Sequence, residues 1–364
     1  MLKLTEKYYL NNSGYDLAVE KFDDICVYCW GLLGDVFTRV PIIEALREKY
    51  PDSKITVVVD AYSRKVIEHH PAIDHIIVFD RNKKSLLRYV FKAIKSVLYL
   101  RSKKFDLSIN LYSGGASAFI TRLTNARIRI AFNHTKKLRQ ANNVLVRHPS
   151  ICQNATKVLA ELLTPLAIKT EQVRIGSSYF CQAKDRSKAK TLLQNEQVKY
   201  IAVNLGASTE DKIWPIRNVV ALLLELAKRH AIVPVVFENP GQEYLAHEFN
   251  ALYKAHGRSI QLSGFAFPEE AAVLEQCDLL ISADTGLMHL GSAVKTPIFA
   301  FFLVTRPEPV TPEDCLFHAC MLELEDSNDD FSWGDCGWSM LNKDIPVEFA
   351  VTELKKFVEN KLGW

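Results

Sequence analysis

The tightest constraint on how this chain can fold lies in residues 278–302, DLLISADTGLMHLGSAVKTPIFAFF. Leu279 to Ser282 is a short apolar run, Ala283 to Gly286 a polar turn, Leu287 to Val294 a short helical stretch, and Ile298 to Phe302 a second apolar run. Short unbroken apolar runs between turn residues suit strands covered on both faces, the condition of a parallel sheet. A polar turn at the carboxyl end of such a strand, opening into a helix, is where open α/β sheets take ligands. The N–H groups of Thr285, Gly286 and Leu287 have no intrahelical partner there, and with the helix dipole they form a ready anion site. His289 follows Thr285 by four residues and falls on the same face one turn along. The plain alternative makes Asp284 an N-cap and His289 an ordinary helix histidine; the tetrad alone does not separate the two.

Upstream, the same alternation repeats. Asp24 to Trp30, Lys54 to Asp60, Ile76 to Phe79, Asp106 to Leu111 and Ile128 to Phe132 read as strands. Helices are expected from Val36 to Tyr50, Tyr62 to His69, Ser85 to Leu100 and Ala116 to Leu123. The Ser85 helix carries one apolar stripe of Leu87, Val90, Phe91, Ile94, Val97 and Leu98, with Arg88, Lys92 and Lys95 turned away. After an irregular stretch the pattern restarts at Tyr200 to Leu205 and runs through Ile232 to Phe237 into the 278–302 stretch. Strand–helix alternation of this kind builds right-handed parallel sheets. With 364 residues, the expectation is two Rossmann-like domains facing each other across a cleft, residues 1–170 and 171–345, with a C-terminal helix over 346–364 returning to the first domain. A dinucleotide oxidoreductase would share this outline, but the first strand is followed by Gly31-x-x-Gly34 rather than G-x-G-x-x-G.

Net charge hides an asymmetry. Residues 1–170 hold 27 Lys and Arg against 15 Asp and Glu; the remainder holds 18 against 27. A basic half calls for an anionic partner, whether nucleic acid, an acidic membrane surface or a phosphorylated substrate. No basic motif interleaved with aromatics supports nucleic acid. No apolar run reaches eighteen residues and the first residues lack an apolar core, so a cytoplasmic protein without a secretory signal is expected. The eight cysteines read as free thiols: Cys26 and Cys29 lie in a strand, and Cys315, Cys320 and Cys336 lack a fourth zinc ligand at recognisable spacing. No metal site is expected.

Three further strand ends carry chemistry-bearing residues. Asp35, after Gly34, is either a helix cap or a general base, and the glycines around it favour the base. Gly206, Ser208, Thr209 and Lys212, ahead of Trp214-Pro215, offer N–H, hydroxyl and ammonium donors to a phosphate. Glu243 after Asn239-Pro-Gly-Gln is placed either for a ribose diol or as a first-turn acid. Arg122, Arg127, Arg129, Lys136, Lys137 and Arg139 form a basic set suited to an acceptor bearing carboxylates or phosphates.

Three blocks resemble glycosyltransferase family nine, the lipopolysaccharide heptosyltransferases. They are Gly34-Asp35-Val36 through Pro41, Ala45-Leu46-Arg47, Tyr50-Pro51 and His70-Pro71; Gly206-Ala-Ser208 with Lys212-x-Trp214-Pro215; and Asp284-Thr285-Gly286-Leu-x-His289-Leu through Pro297. The resemblance spans about residues 25 to 305 and implies a GT-B fold. It implies inverting transfer of a sugar, ADP-heptose being the usual donor, with neither cofactor nor obligatory metal. On it, Asp35 is the base, assisted by Lys212. Lys212 and Ser208 hold the diphosphate beside Gly206, and Thr285 and Gly286 add N–H contacts. Asp284 and His289 bind donor sugar or phosphates, Glu243 the ribose, and Gly34 and Arg122 the acceptor. The implied partners are the nucleotide sugar, an anionic glycolipid and the cytoplasmic face of the inner membrane, with no nucleic acid. The rival reading is a non-catalytic sugar-nucleotide or glycan-binding module on the same fold; Asp35 and Lys212 together favour the enzyme.

Overall fold

The computed structural model describes residues 3–4, 8–10, 16–79, 86–112, 115–133, 135–149, 153–322 and 344–364. Two compact units divide at residue 177. Cys152, Cys336 and the 323–338 segment lie outside the described residues.

The first unit begins with β1 (Lys3–Leu4) and β2 (Tyr8–Leu10), then β3 (Asp24–Tyr28), α1 (Leu33–Phe37) and α2 (Val40–Lys49). It continues through β4 (Lys54–Val59), β5 (His75–Val78), α3 (Leu86–Ser102) and β6 (Leu107–Asn110). α4 (Gly115–Thr124), β7 (Ile128–Phe132), α5 (Lys136–Ala141), β8 (Val144–Val146) and α6 (Ala155–Ala160) complete it. The sheet order is β1-β2-β8-β7-β6-β3-β4-β5, parallel from β8 to β5 with β2 antiparallel on the β8 edge. The chain leaves β3 toward β4 and β5, then crosses back to β6 and onward to β8. Its order therefore reverses between β3 and β6, and right-handed crossovers put α3, α4 and α5 together on one face.

The helix expected from Val36 to Tyr50 is two helices. Pro41 sits at the start of α2, where its missing N–H is tolerated; inside one long helix it would break the ladder. Tyr62 to His69 condenses to one 3-10 turn, Arg64–Val66. In α3 the predicted apolar stripe divides, its members Leu87 and Val90 lying outside the residues whose side chains are described. Leu100 is buried and Val97 packs with it against Trp30 and Phe79, while Phe91, Ile94 and Leu98 are 72%, 54% and 62% exposed.

The second unit comprises α7 (Ala183–Leu192), β9 (Lys199–Asn204), α8 (Ile216–Ala227), β10 (Ile232–Phe237), α9 (Glu243–Tyr253) and β11 (Ile260–Leu262). α10 (Phe267–Glu275), β12 (Leu279–Ala283), α11 (Gly286–Ala293), β13 (Ile298–Phe301), β14 (Phe317–Cys320) and α12 (Val347–Phe357) follow. All six strands are parallel in the order β11-β10-β9-β12-β13-β14, so the reversal lies between β9 and β12. α12 packs within the second unit. Ala350, Val351, Leu354 and Phe357 are buried in the second unit's own core with Leu222, Leu226 and Phe299. The apolar face of α8 needs a cover, and α12 supplies it.

Candidate active site

At the carboxyl end of β3 the chain turns sharply through Trp30 and Gly31. Gly31 has φ +147, and a Cβ there would stand 2.6 Å from the Asp35 Cβ and Oδ2 and 2.7 Å from an Arg39 guanidinium nitrogen. Only glycine meets both demands. The Gly31 N–H donates to Asp60 Oδ2 at 3.0 Å, and its carbonyl accepts from Ser63 Oγ at 2.5 Å. Asp35 is the third residue of α1, and its Oδ2 accepts from the Leu32 N–H at 2.9 Å. The capping role is therefore real, and it occupies one carboxylate oxygen; the side chain is otherwise exposed. Arg39 is buried and donates to the Trp30 carbonyl. This cation beside the candidate base escaped the sequence reading, because nothing in the spacing of Asp35 and Arg39 shows that the turn at Gly31 brings both against it.

Arg122 is not brought to this end. It lies in the last turn of α4, and α4 runs back from the carboxyl edge of β6, so Arg122 sits toward the opposite edge from Gly34. There it donates to the Gln140 carbonyl at 2.9 Å and lines a groove of about 1230 Å³ with Phe119, Arg129, Lys137, Arg139 and Asn142. Burial, and then the Arg122 charge, lower the Arg129 guanidinium from its ordinary value. Arg127, counted with this set, instead pairs with Glu20 at 2.7 Å.

In the second unit three loops leave neighbouring strand ends, and Asn204 at the end of β9 ties them together. Its amide nitrogen donates to Ser282 Oγ at 2.9 Å and Thr285 Oγ1 at 2.8 Å, while its carbonyl accepts from Asn239 at 3.0 Å. A Cβ at Gly206 would collide with the Asn239 and Gln242 amides. Gln242 closes over the loop by donating to the Ala207 carbonyl at 3.1 Å. Asn204, Asn239 and Gln242 were missed as organisers; the available signal was an asparagine closing an otherwise apolar strand.

Lys212 and Asp284, expected to act separately, form an ion pair at 2.7 Å with each side chain 15% exposed. Thr305 adds a hydroxyl to Asp284 at 2.8 Å. Burial pushes the Asp284 carboxyl up, but the Lys212 charge and hydrogen bond, His289 and the Thr305 hydroxyl together hold it below its ordinary range. Trp214 fixes the Lys212 loop, stacking on Phe301 with centroids 4.2 Å apart and donating to the Ile345 carbonyl at 3.1 Å. The Trp-Pro pair is thus a structural pin. Thr285 precedes α11 without capping it by a side-chain hydrogen bond; its hydroxyl is held by Asn204, leaving the first N–H groups of α11 for an anion. Gly286 and His289 lie in the first turn and at its end. Ser208 is exposed on the β9 loop. Glu243 accepts from the Gly241 N–H at 2.8 Å, and that backbone bond lowers its carboxyl. It serves its own turn first, as a first-turn acid would.

Both units thus carry polar strand ends at the reversal of their strand order. The sequence profile of Glycosyltransferase family 9 (heptosyltransferase) matches residues 94–330. "Lipopolysaccharide heptosyltransferase 3" of Escherichia coli is 24% identical over 75% of this chain and 81% of its own length. "Lipopolysaccharide core heptosyltransferase OpsX" of Haemophilus influenzae is 20% identical over 93% and 98%. Among solved structures, the glycosyl transferase family 9 of Veillonella parvula aligns with TM-score 0.76 at 21% identity, over 95% of this chain and 99% of that one. E. coli heptosyltransferase WaaC with ADP-2-deoxy-2-fluoro heptose aligns with TM-score 0.69 at 18%, over 93% and 99%. These likenesses show the GT-B type of fold, two Rossmann-like units. A profile covering well over half of the chain, with relatives matched along most of their length, carries the conclusion: this protein belongs to glycosyltransferase family 9, the heptosyltransferases, and is a glycosyltransferase.

Proposed function

We propose that this enzyme transfers heptose from ADP-heptose, with inversion, to a hydroxyl of an anionic lipopolysaccharide-core acceptor at the cytoplasmic face of the inner membrane. The first unit takes the acceptor and the second the donor. Asp35 keeps one oxygen in its cap and uses the other to accept the hydroxyl proton as the acceptor oxygen attacks the anomeric carbon. The bond from that carbon to the diphosphate breaks on the opposite side, and ADP leaves. Lys212 and the first N–H groups of α11 receive the charge that develops on the departing diphosphate. Asp284 orients Lys212; the lysine then acts from a fixed position rather than as a free surface charge. His289 and Ser208 complete the diphosphate and sugar contacts, and Glu243 the ribose.

The observation that carries this reading is the partly buried Lys212–Asp284 pair beside the uncapped start of α11, where the second sheet reverses. A related solved structure, an ADP-heptose lipopolysaccharide heptosyltransferase II of E. coli, fits it. A thermal-shift comparison of ADP, GDP and UDP tests it. ADP at about a hundred times its Kd should stabilise by about 2.7 kcal/mol, with smaller shifts from the others. Equal shifts from all three, or none, would remove the adenine-nucleotide assignment.

A further inference from the structure

We infer that the outer face of the α3–α4–α5 layer is a docking surface for an anionic lipid bilayer, with the Arg122 groove receiving a lipid headgroup phosphate. This rests on the proposed acceptor being lipid-borne and names how the enzyme reaches it.

Two independent observations converge on this face. The first is apolar. Phe91, Ile94 and Leu98 of α3 are more than half exposed, as is Phe119 of α4 at 63%. The residues that hold α3 to the sheet, Val97 and Leu100, lie on another side of the helix. Positions 91, 94 and 98 follow one another at helical spacing, so they form one stripe along α3. α4 packs beside α3, joined at one end by Arg101 donating to the Leu123 carbonyl at 3.2 Å. Packing among the described residues of the unit does not explain such a stripe.

The second observation is charge. α3, α4 and α5 contain no aspartate or glutamate. Among the described residues, the four cations of the groove find only backbone carbonyls or no protein partner. Arg122 donates to Gln140, Arg129 to Ala141 at 2.9 Å and Ala126 at 2.6 Å, and Arg139 to Asn133 at 2.8 Å. Elsewhere in this unit several arginines are paired with carboxylates: Arg47 with Asp74, Arg127 with Glu20, Arg174 with Glu44. The groove is also lined by Asn142, 4% exposed, whose Oδ1 has no hydrogen-bond partner among the described residues. A headgroup hydroxyl would satisfy it while the phosphate lies among the guanidinium groups. Apolar side chains that enter the acyl boundary, flanked by cations that meet phosphates, are the two signals that together hold a protein on an anionic surface. Among the described residues no helix is long and apolar enough to cross a membrane.

The test is co-sedimentation of the full chain with phosphatidylcholine vesicles, with and without phosphatidylglycerol, over a salt series. The expected result is binding only to the anionic vesicles, weakening as salt rises. Phe91→Ser with Leu98→Ser should lower the partition coefficient about tenfold and leave transfer to a soluble, deacylated acceptor unchanged. Arg122→Glu with Arg139→Glu should also release the protein from anionic vesicles. Absence of vesicle binding by the wild type would overturn the inference. So would wild-type self-association abolished by the Phe91 and Leu98 changes, which would make a second copy the occupant. Loss of transfer to the soluble acceptor in the wild type would instead count against the proposed reaction, not against this surface.

Discussion

Replacing Lys212 by methionine isolates the ion pair at the centre of the second unit. Opposite unit charges about 4 Å apart attract by about 4 kcal/mol at an effective dielectric of about 20. Removing one partner of a buried pair costs about 3–5 kcal/mol, because the other charge is left stranded. Here each side chain retains 15% exposure and Thr305 still donates to Asp284, so a loss of about 2–3 kcal/mol is expected. For a unit of this size that is about 5–10 °C in melting temperature. The sign of its pH dependence is fixed as well. The Asp284 carboxyl is held below its ordinary value in the folded protein, so its contribution is present above the unfolded value and lost as pH falls through the folded one. Without Lys212 the folded value rises, and the deficit of the variant should be largest near neutrality and shrink toward pH 4 and below. Adding Asp284→Asn to the methionine variant should recover most of the stability and none of the activity. Calorimetry measures the loss, and amide exchange on β9 and β12 localises it. A Lys212→Met protein that melts with the wild type at every pH, or a constant deficit with no pH dependence, would refute the reasoning.

Other changes probe the remaining parts. Gly31→Ala should cost about 1–3 kcal/mol from its positive φ and its approach to Asp35, with transfer reduced further, read by chemical denaturation and ADP release. Asn204→Leu should strand the Asn239 amide and free Thr285, costing about 1–3 kcal/mol and raising KM for the donor in steady-state kinetics. Glu243→Gln separates two roles: if the side chain only caps Gly241, stability and donor KM stay within about twofold, whereas a ribose contact raises KM about tenfold or more.

The parallel sheets were legible because their strands are short apolar runs closed by polar turns, as in Leu279 to Ala283. Edges were harder to read. Ile260–Leu262 and Phe317–Cys320 are edge strands too short to show a period, and Ala183–Leu192 is a polar helix with little apolar face to announce it. The α3 stripe shows a different limit. Periodicity identified the helix and its apolar residues but not which direction faces the sheet, since Leu100 and Val97, rather than Phe91 and Leu98, make that contact. At the site, the sequence supplied Asp35, Lys212 and Asp284 as separate candidates. That two of them neutralise each other across 72 residues, and that Arg39 stands beside the third, depends on which strands are neighbours. Spacing along the chain does not carry that information.

In the proposed transfer Asp35 is the proton acceptor. Asparagine in its place keeps a side-chain oxygen for the Leu32 N–H and so preserves the turn, while removing the basic oxygen. Single-turnover transfer of labelled heptose from ADP-heptose to a purified core acceptor should fall at least about a thousandfold in Asp35→Asn, with ADP affinity within about twofold of the wild type. Transfer at an undiminished rate by this variant would contradict the mechanism.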